Sequence, residues 1–172
     1  LTITIKDIDI PILFIHLKSM PSPEGFGLRD AMFEKAFNLK KALDKAAKNS
    51  GHKAANLIIL GDMNTMGMNY EGRNHDIPGP NEIKVITNRF KRRKMVSLEK
   101  DHPTTFSNGS GSRYPDSDLD HVFAAEHLQF KNVSGTKTVH VGGWAKENTV
   151  AKKDKWIEQY SDHGPLTLTL KI

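Results

Sequence analysis

The stretch LIILGDMNT, Leu57 to Thr65, decides how this chain folds and where its polar groups collect. Its aliphatic residues run directly into a glycine, an acid and an amide. An apolar run of this kind predicts a buried strand that carries Asp62 and Asn64 to the edge of a sheet. Sheet edges are where α/β proteins place their sites. The alternative is a strand that simply ends in a turn, because Gly, Asp and Asn are also common turn formers.

Upstream of this stretch, the pattern predicts two strands and a helix. Residues 1–6 alternate between apolar and polar, and residues 10–17 are more continuously apolar, so we expect a hairpin. A loop with prolines and glycines follows at residues 21–27. Apolar positions that step by three and four over residues 28–49 predict an amphipathic helix with lysines on its outer face.

Downstream, the order of elements predicts more strands, one clear helix and two long loops. We expect the helix to begin at Asn81 and to end in a basic tail over residues 89–94. The expected strands cover residues 95–100, 119–125, 127–133, 136–141 and 166–171. Residues 66–80 form a loop that is either functional or disordered, and residues 142–160 form a loop with a helical piece.

Length and composition restrict the possible classes of protein. A chain of 172 residues is of single-domain size, and we interpret residues 1–172 as one domain. No apolar run is long enough to span a bilayer, and the absence of cysteine excludes disulfides and thiolate nucleophiles. A net charge of +5 and a pI near 9.3 favour phosphate-bearing polyanions, either nucleic acid or anionic lipid headgroups. The basic residues on both helices are either a solvated surface or contacts to a phosphate backbone.

Unusual polar side chains follow or precede several predicted strands. If these strands belong to stacked sheets, their ends converge and bring carboxylates, imidazoles and an amide into one cleft. Carboxylate and amide oxygens suit Mg²⁺ or Mn²⁺, whereas zinc requires more His or Cys ligands. Such a group supports the attack of water on a phosphate ester. Its members are His16, Asp62, Asn64, Asp120, Asp162 and His163.

Five segments together resemble the endonuclease/exonuclease/phosphatase superfamily, which includes DNase I-like nucleases, inositol polyphosphate phosphatases and neutral sphingomyelinases. These segments are FIHLKS, LIILGDMNT, HPTTF, SDLDHVFAA and SDHGPL, in this order. The resemblance extends over the whole chain. It implies a two-sheet α/β sandwich (DNase I-like) with outer helices.

The resemblance also implies a role for each site residue. His16 would contact the phosphate, Asp62 would activate water, and Asn64 would bind the scissile phosphate. Asp120 would pair with His163, which would stabilise the pentacovalent state. Asp162 would lie at the metal, which would be Mg²⁺ or Mn²⁺.

The sequence departs from the family pattern at its front. No Gln-Glu pair precedes His16, and Glu24 comes too late in the order to replace it. We therefore expect a C-terminal fragment of a longer domain that lacks the N-terminal strands, with an incomplete metal site. Loss of those strands would leave an exposed sheet edge through which the chain self-associates. The leading hypothesis is a nuclease-like phosphodiesterase, and the alternative is a catalytically silent or truncated member that acts as a binding module.

Overall fold

The computed structural model describes residues 1–72 and 75–172. Its strands are β1 (Thr2–Ile5), β2 (Ile8–His16), β3 (Ile58–Asp62), β4 (Gly67–Met68), β5 (Ile77–Pro78), β6 (Met95–Ser97), β7 (Asp120–Ala125), β8 (Gln129–Phe130), β9 (Val139–Val141), β10 (Leu166–Leu168) and β11 (Leu170–Lys171). Its helices are α1 (Pro23–Asn49), α2 (Gly79–Lys91) and α3 (Val150–Gln159), with a short 3-10 helix at Gly143–Lys146.

A five-stranded sheet of order β1-β2-β3-β7-β6 lies at the centre of the fold. The predicted hairpin of β1 and β2 is confirmed, and β2 then pairs in parallel with β3. Since parallel neighbours require a crossover, α1 returns the chain along one face of the sheet. Strand β7 runs antiparallel to both β3 and β6. β3 therefore lies in the middle of the sheet, as its apolar sequence predicts.

Helices α1 and α2 cover one face of the sheet. Their aromatic side chains pack on the sheet, with Phe37 in edge contact with Phe90 at 4.7 Å and Phe90 stacked on Phe123 at 4.2 Å between ring centroids. Helix α1 begins earlier than its periodicity predicts, so the expected loop over residues 21–27 is partly wrong. The helix starts at Pro23 because the Ser22 hydroxyl accepts a hydrogen bond from the Gly25 N–H at 3.2 Å.

Short strand pairs cover the opposite face. β9 pairs with β10 and β8 pairs with β11, and their side chains pack with Ile10, Ile58 and Val122 of the central sheet. This arrangement of helices, sheet and second β layer confirms the predicted α/β sandwich. The single strand expected over residues 166–171 is wrong, since it divides into β10 and β11, which pair with different partners. The strands expected over residues 127–133 and 136–141 are shorter than predicted.

The two loops expected from the sequence differ from their predictions. The first contains the β4-β5 hairpin at its two ends, while Arg73 and Asn74 within it lie outside the described residues. The second contains the 3-10 helix and α3, which confirms a helical piece. Helix α2 ends at Lys91, so the last part of the expected basic tail lies beyond the helix.

A buried ion pair joins the two covering helices. Arg29 of α1 is fully buried and binds Glu82 of α2 through Nε at 2.8 Å and Nη2 at 3.0 Å. Arg29 also donates to the carbonyls of Lys18, Met20 and Gly67, and Glu82 accepts from the Gly67 N–H at 2.8 Å. The pair therefore fixes α1, α2, β4 and the loop after β2 relative to one another.

The outer strands of the central sheet are β1 and β6, and β1 is exposed along its whole length. Its apolar residues Ile3 and Ile5 are accessible to solvent. Self-association through this edge stays a prediction. Among the described helices, none combines the length and apolar character required to cross a membrane.

Candidate functional site

Strand register brings three of the predicted side chains to one edge of the sheet. His16 at the end of β2 is paired with Asp62 at the end of β3, and Asp62 is paired with Asp120 at the start of β7. Because β2 and β3 are parallel while β7 is antiparallel, two strand ends and one strand start meet at the same edge. The convergence expected from the sequence is therefore present for these residues.

Gly61 allows this edge to form. Its φ is +134°, and a Cβ at this position would lie 2.1 Å from the carbonyl oxygen of Ile15 in β2. Only glycine combines this backbone conformation with so close an approach of the neighbouring strand. The glycine before Asp62 is thus required by packing between β2 and β3.

His163 reaches the edge from the loop before β10. Two backbone hydrogen bonds hold this loop and form a β-bridge between Phe106 and His163. The Gly164 N–H donates to the Thr105 carbonyl at 2.8 Å, and the Ser107 N–H donates to the Asp162 carbonyl at 2.9 Å. The HPTTF segment therefore serves as the support on which the SDH segment rests.

Asp62, Asp120 and His163 form a compact group of potential metal ligands. One ligand atom from each lies within 4.8 Å of the other two. The His163 Nδ1 is 2.7 Å from Asp120 Oδ2, and the His163 Nε2 is 3.9 Å from Asp62 Oδ2. The side chains are 17%, 13% and 28% exposed respectively, so the group is accessible from solvent but mostly desolvated.

The environment raises the pKa of both Asp62 and His163. Burial is the largest cause at Asp62, where the negative charge of Asp120 acts in the same direction and the Asn64 N–H acts against it. At His163 the hydrogen bond from the ring to the Asp120 carboxylate is the largest cause. Burial disfavours a carboxylate, while an acidic partner favours an imidazolium. Asp62 is thereby a stronger base than an ordinary aspartate, and His163 retains its proton to higher pH.

Asn64 holds Asp62 in place. It adopts a left-handed conformation with φ of 47° and is almost fully buried. Its N–H donates to Asp62 Oδ1 at 2.9 Å, and its side-chain amide donates to Asp62 Oδ2 at 2.8 Å and to the Leu17 carbonyl at 3.0 Å. Both amide protons are thus engaged within the protein. The predicted contact of Asn64 with the phosphate would have to replace one of these bonds.

His16 lies at the rim of the group. Its side chain is 77% exposed, and its Nε2 is 3.4 Å from Asp62 Oδ2. A donor in this position faces solvent on one side and the carboxylate on the other. The geometry suits the predicted contact with a phosphate that enters from outside.

Asp162 contributes its backbone to the structure of the site. Its carbonyl accepts hydrogen bonds from the Ser107 N–H at 2.9 Å and from the Trp144 Nε1 at 3.1 Å. Its negative charge also helps to raise the pKa of His163. Among the described residues, the potential ligand group contains Asp62, Asp120 and His163 but not Asp162. The contact of Asp162 with a metal stays a prediction.

Lys100, which no sequence pattern identified, binds the segment that contains Asp120. Its amine is largely buried and donates to the Asp120 carbonyl at 2.5 Å and to the Asp118 carboxylate, and it lies 3.3 Å from His121 Nδ1. Burial lowers the pKa of Lys100, while the charge of Asp118 opposes this shift. From the sequence, a single lysine in a predicted strand cannot be told from a lysine that points into solvent. Only the fold shows that Lys100 is buried beside Asp120.

Thr105 and Thr65 also bind this segment. The Thr105 hydroxyl accepts hydrogen bonds from the backbone N–H groups of Leu119 and Asp120, at 3.0 and 2.9 Å. The Thr65 hydroxyl lies 2.8 Å from His121 Nε2 and donates to the Asp118 carbonyl. Both threonines belong to segments that the sequence singled out, but their hydrogen bonds required the structure.

Comparisons with known proteins show a likeness in fold. No protein-family model and no curated protein matches the chain. A solved structure of a mannosyl-6-phosphatase from Bacteroides thetaiotaomicron matches with a TM-score of 0.50 and 14% identity, over 97% of this chain and 53% of that one. A beta-hairpin deletion mutant of beta toxin from Staphylococcus aureus matches with a TM-score of 0.47 and 18% identity, over 99% and 54%. The chain therefore spans about half the length of these solved structures, and the phosphatase shares its fold.

Proposed function

We propose that this chain is a metal-dependent phosphoesterase of the endonuclease/exonuclease/phosphatase type that hydrolyses phosphodiester bonds as a nuclease does. The observation that carries the proposal is the group of Asp62, Asp120 and His163 at one edge of the sheet. A base, a second carboxylate and an oriented imidazole within 4.8 Å of one another are the groups that phosphate hydrolysis requires. The motifs in which they occur support the family assignment.

The donor chemistry of this group fits a divalent cation. The carboxylate of Asp120 would hold it, with the predicted Asp162 as a further ligand, and Asp62 would remain free to act on the water. Oxygen ligands from few carboxylates suit Mg²⁺ or Mn²⁺, which retain several waters in phosphate sites. His163 is a weaker candidate, because an imidazole must be neutral to bind a metal and the pKa of His163 is raised. When bound, the cation neutralises phosphate charge and stabilises the leaving oxygen.

The protein side chains divide the remaining chemistry among them. Asp62 accepts a proton from the attacking water, and its raised pKa strengthens it as a base. The water oxygen forms a bond to phosphorus while the bond to the leaving oxygen breaks. His163, whose Nδ1 is fixed by Asp120, directs its Nε2–H toward the phosphate oxygens as charge grows on them. His16 donates to the phosphate from the rim.

A nuclease-like substrate follows from the charge of the chain. With a net charge of +5 at neutral pH the protein attracts polyanions, and the phosphodiester backbone of nucleic acid is such a polyanion. The histidine pair at the site supplies donors rather than additional negative charge, which suits an anionic substrate.

The test is hydrolysis of bis-p-nitrophenyl phosphate and of DNA, each with MgCl₂, with MnCl₂ and with EDTA. We expect turnover that requires the cation and that falls by a factor of about 100 or more in Asp62→Asn and His163→Gln, as is typical when a general base or an oxyanion donor is removed. Asp7→Asn and His52→Gln are matched controls, since both residues are exposed and remote from the site. Asn tolerates the left-handed conformation of Asp7.

Two results would contradict the proposal. Turnover that persists in EDTA would exclude the cation, and turnover that is insensitive to Asp62→Asn and His163→Gln would exclude the site. Absence of turnover in a folded chain would favour the binding module, particularly if the chain still binds DNA.

A further inference from the structure

A broad basic groove lies on the helical face of the molecule. Two segments that are about 50 residues apart in sequence line it: the C-terminal half of α1 and the turn that follows α2. The groove has a volume of about 910 Å³. The buried Lys40 lies in its wall, and its solvent-accessible cations are Lys41, Lys45, Lys48, Arg92, Arg93 and Lys94.

The groove lies at the opposite end of the sheet from the candidate catalytic group. Helix α1 begins beside the site, after β2, and runs back toward the start of β3. Lys41 is 18 residues beyond Pro23, about 27 Å along the helix at about 1.5 Å per residue. The turn after α2 leads into Met95, which pairs with Ala125 at the far end of β7 from Asp120. The groove is therefore a separate surface.

Among the described residues, most of these cations form no ion pair. The described lining contains one carboxylate, Asp44, which is bound by the buried amine of Lys40 and by the Ala55 N–H at 3.0 Å. Lys94 lies 3.7 Å from Glu126. Within residues 1–72 and 75–172, Lys41, Lys45, Lys48 and Arg92 make no ion pair. The groove thus carries an uncompensated positive charge.

The wall formed by Arg93 is ordered before any partner binds. Its guanidinium lies over the Phe37 ring, 4.2 Å from the centroid, and its Nη1 donates to the Arg89 carbonyl at 3.0 Å. A cation held by an aromatic ring and a carbonyl loses little conformational freedom when an anion arrives. A merely solvated basic surface would not require Arg93 to be held in one position.

We propose that this groove binds the phosphate backbone of a nucleic-acid duplex without reading its sequence. Lys41, Lys45 and Lys48 occupy about 10 Å of helix, which equals about three steps of one strand at about 3.4 Å each. The sugar-phosphate backbone of a duplex protrudes and can enter a concave groove, whereas a flat bilayer would contact only the rim of the groove. The described residues that line the groove include no aromatic side chain. Stacking on unpaired bases therefore does not contribute, and contacts to phosphates position the partner.

This binding requires no hydrolysis, so it is independent of the proposed function. A labelled DNA duplex of about 20 base pairs, which at about 3.4 Å per step exceeds the groove, is titrated by fluorescence anisotropy in EDTA. The titration is repeated over a series of salt concentrations. The variant Lys41→Gln/Lys45→Gln/Lys48→Gln removes three exposed charges from α1. Its matched control, Lys131→Gln/Lys137→Gln/Lys171→Gln, removes three exposed charges from the second β layer, on the other face of the sheet.

The slope of log affinity against log salt is negative. We expect the groove variant to reduce its magnitude by about 2.7, or about 0.9 for each phosphate contact that is lost, and the control to leave it unchanged. Hydrolysis of bis-p-nitrophenyl phosphate should be the same in the unmodified chain and in both variants. Circular dichroism confirms that the helices are intact.

Three outcomes would overturn the proposal. In the first, the unmodified chain binds no duplex at low salt. In the second, both triple variants lose the same affinity for the duplex, which means that only net charge matters. In the third, the groove variant binds the duplex normally but no longer binds phosphatidylcholine vesicles that contain phosphatidylserine, which means that the groove binds a membrane.

Discussion

Substitution of Glu82 by glutamine should destabilise the protein more than any surface change of the same kind. Glutamine keeps the volume of the side chain, so no cavity forms, and the charge of Arg29 loses its partner. Glu82 is 4% exposed and accepts three hydrogen bonds, from Arg29 Nε at 2.8 Å, Arg29 Nη2 at 3.0 Å and the Gly67 N–H at 2.8 Å. A glutamine can keep only the acceptors on its one carbonyl oxygen.

The magnitude follows from the burial of the cation that remains. Removal of one partner from a buried ion pair costs about 3–5 kcal/mol, since the other charge stays desolvated. Three backbone carbonyls still accept from Arg29, but they bring only partial charge. We therefore expect the free energy of unfolding to fall by about 3–5 kcal/mol, a large part of the 5–15 kcal/mol of a typical domain, which is roughly 6–20 °C in melting temperature.

The measurement is urea unfolding followed by the fluorescence of Trp144 and Trp156, with thermal unfolding as a second assay. Glu158→Gln is the matched control, because this glutamate is exposed on α3, and we expect it to change the free energy of unfolding by less than about 0.5 kcal/mol. A loss below about 1 kcal/mol in Glu82→Gln would refute the reasoning, because a buried guanidinium without its carboxylate cannot be so inexpensive.

Two further predictions concern the site and the backbone. Asp120→Asn should lower the pKa of His163, because the hydrogen bond to Asp120 is the main cause of its elevation; NMR titration of the ring in EDTA measures this. Because the pKa of His163 is raised in the folded protein, protonation of His163 stabilises the fold below the ordinary pKa of 6.5, and this stabilisation disappears as the pH rises through the folded-state pKa. The free energy of unfolding lost in Asp120→Asn should therefore become smaller toward high pH. A difference that does not change with pH would contradict the assignment. Gly67→Ala should cost more than Gly51→Ala in urea unfolding: both glycines have positive φ, but a Cβ at Gly67 would lie 1.9 Å from the Ile77 carbonyl whereas one at Gly51 meets open space. We expect about 1 kcal/mol at Gly51 and at least about 3 at Gly67, and equal losses would show that contact with the hairpin is unimportant.

Hydrophobic patterning was sufficient to place the elements that build the sheet. The apolar runs before Asp62 and after Asp120 are buried strands. The predicted helix is present, but its predicted inner face is partly wrong: Phe33, Ala36 and Phe37 pack on the sheet, whereas Leu28, Met32 and Leu39 are exposed. Lys40, which the pattern places on the outer face, is buried because its amine binds Asp44. Patterning failed where local chemistry set the limits: Ser22 and Pro23 start α1 before its first periodic residue, and the alternation over residues 166–171 continues through the change of partner between β10 and β11.

The site was predictable as a collection of residues but not as a geometry. Strand ends with unusual polar groups indicated His16, Asp62, Asp120 and His163, and the fold brings them together. The contacts of each residue were not predictable. The side-chain amide of Asn64 donates to Asp62, and the carbonyl of Asp162 accepts a hydrogen bond within the loop. Whether a side chain faces a ligand or a neighbour depends on contacts between segments that are far apart in sequence.

The sequence by itself determined which strands are buried and which polar residues end them, because periodicity and turn chemistry act over a few residues. Only the tertiary structure decided that Lys100 holds the Asp120 carbonyl, that Arg29 is neutralised by Glu82, and that the lysines of α1 face the cations that follow α2. The physical reason is the same in each case. Whether a charge stabilises or destabilises the fold depends on the groups beside it. Those groups are determined by packing between secondary-structure elements and not by the order of residues in the chain.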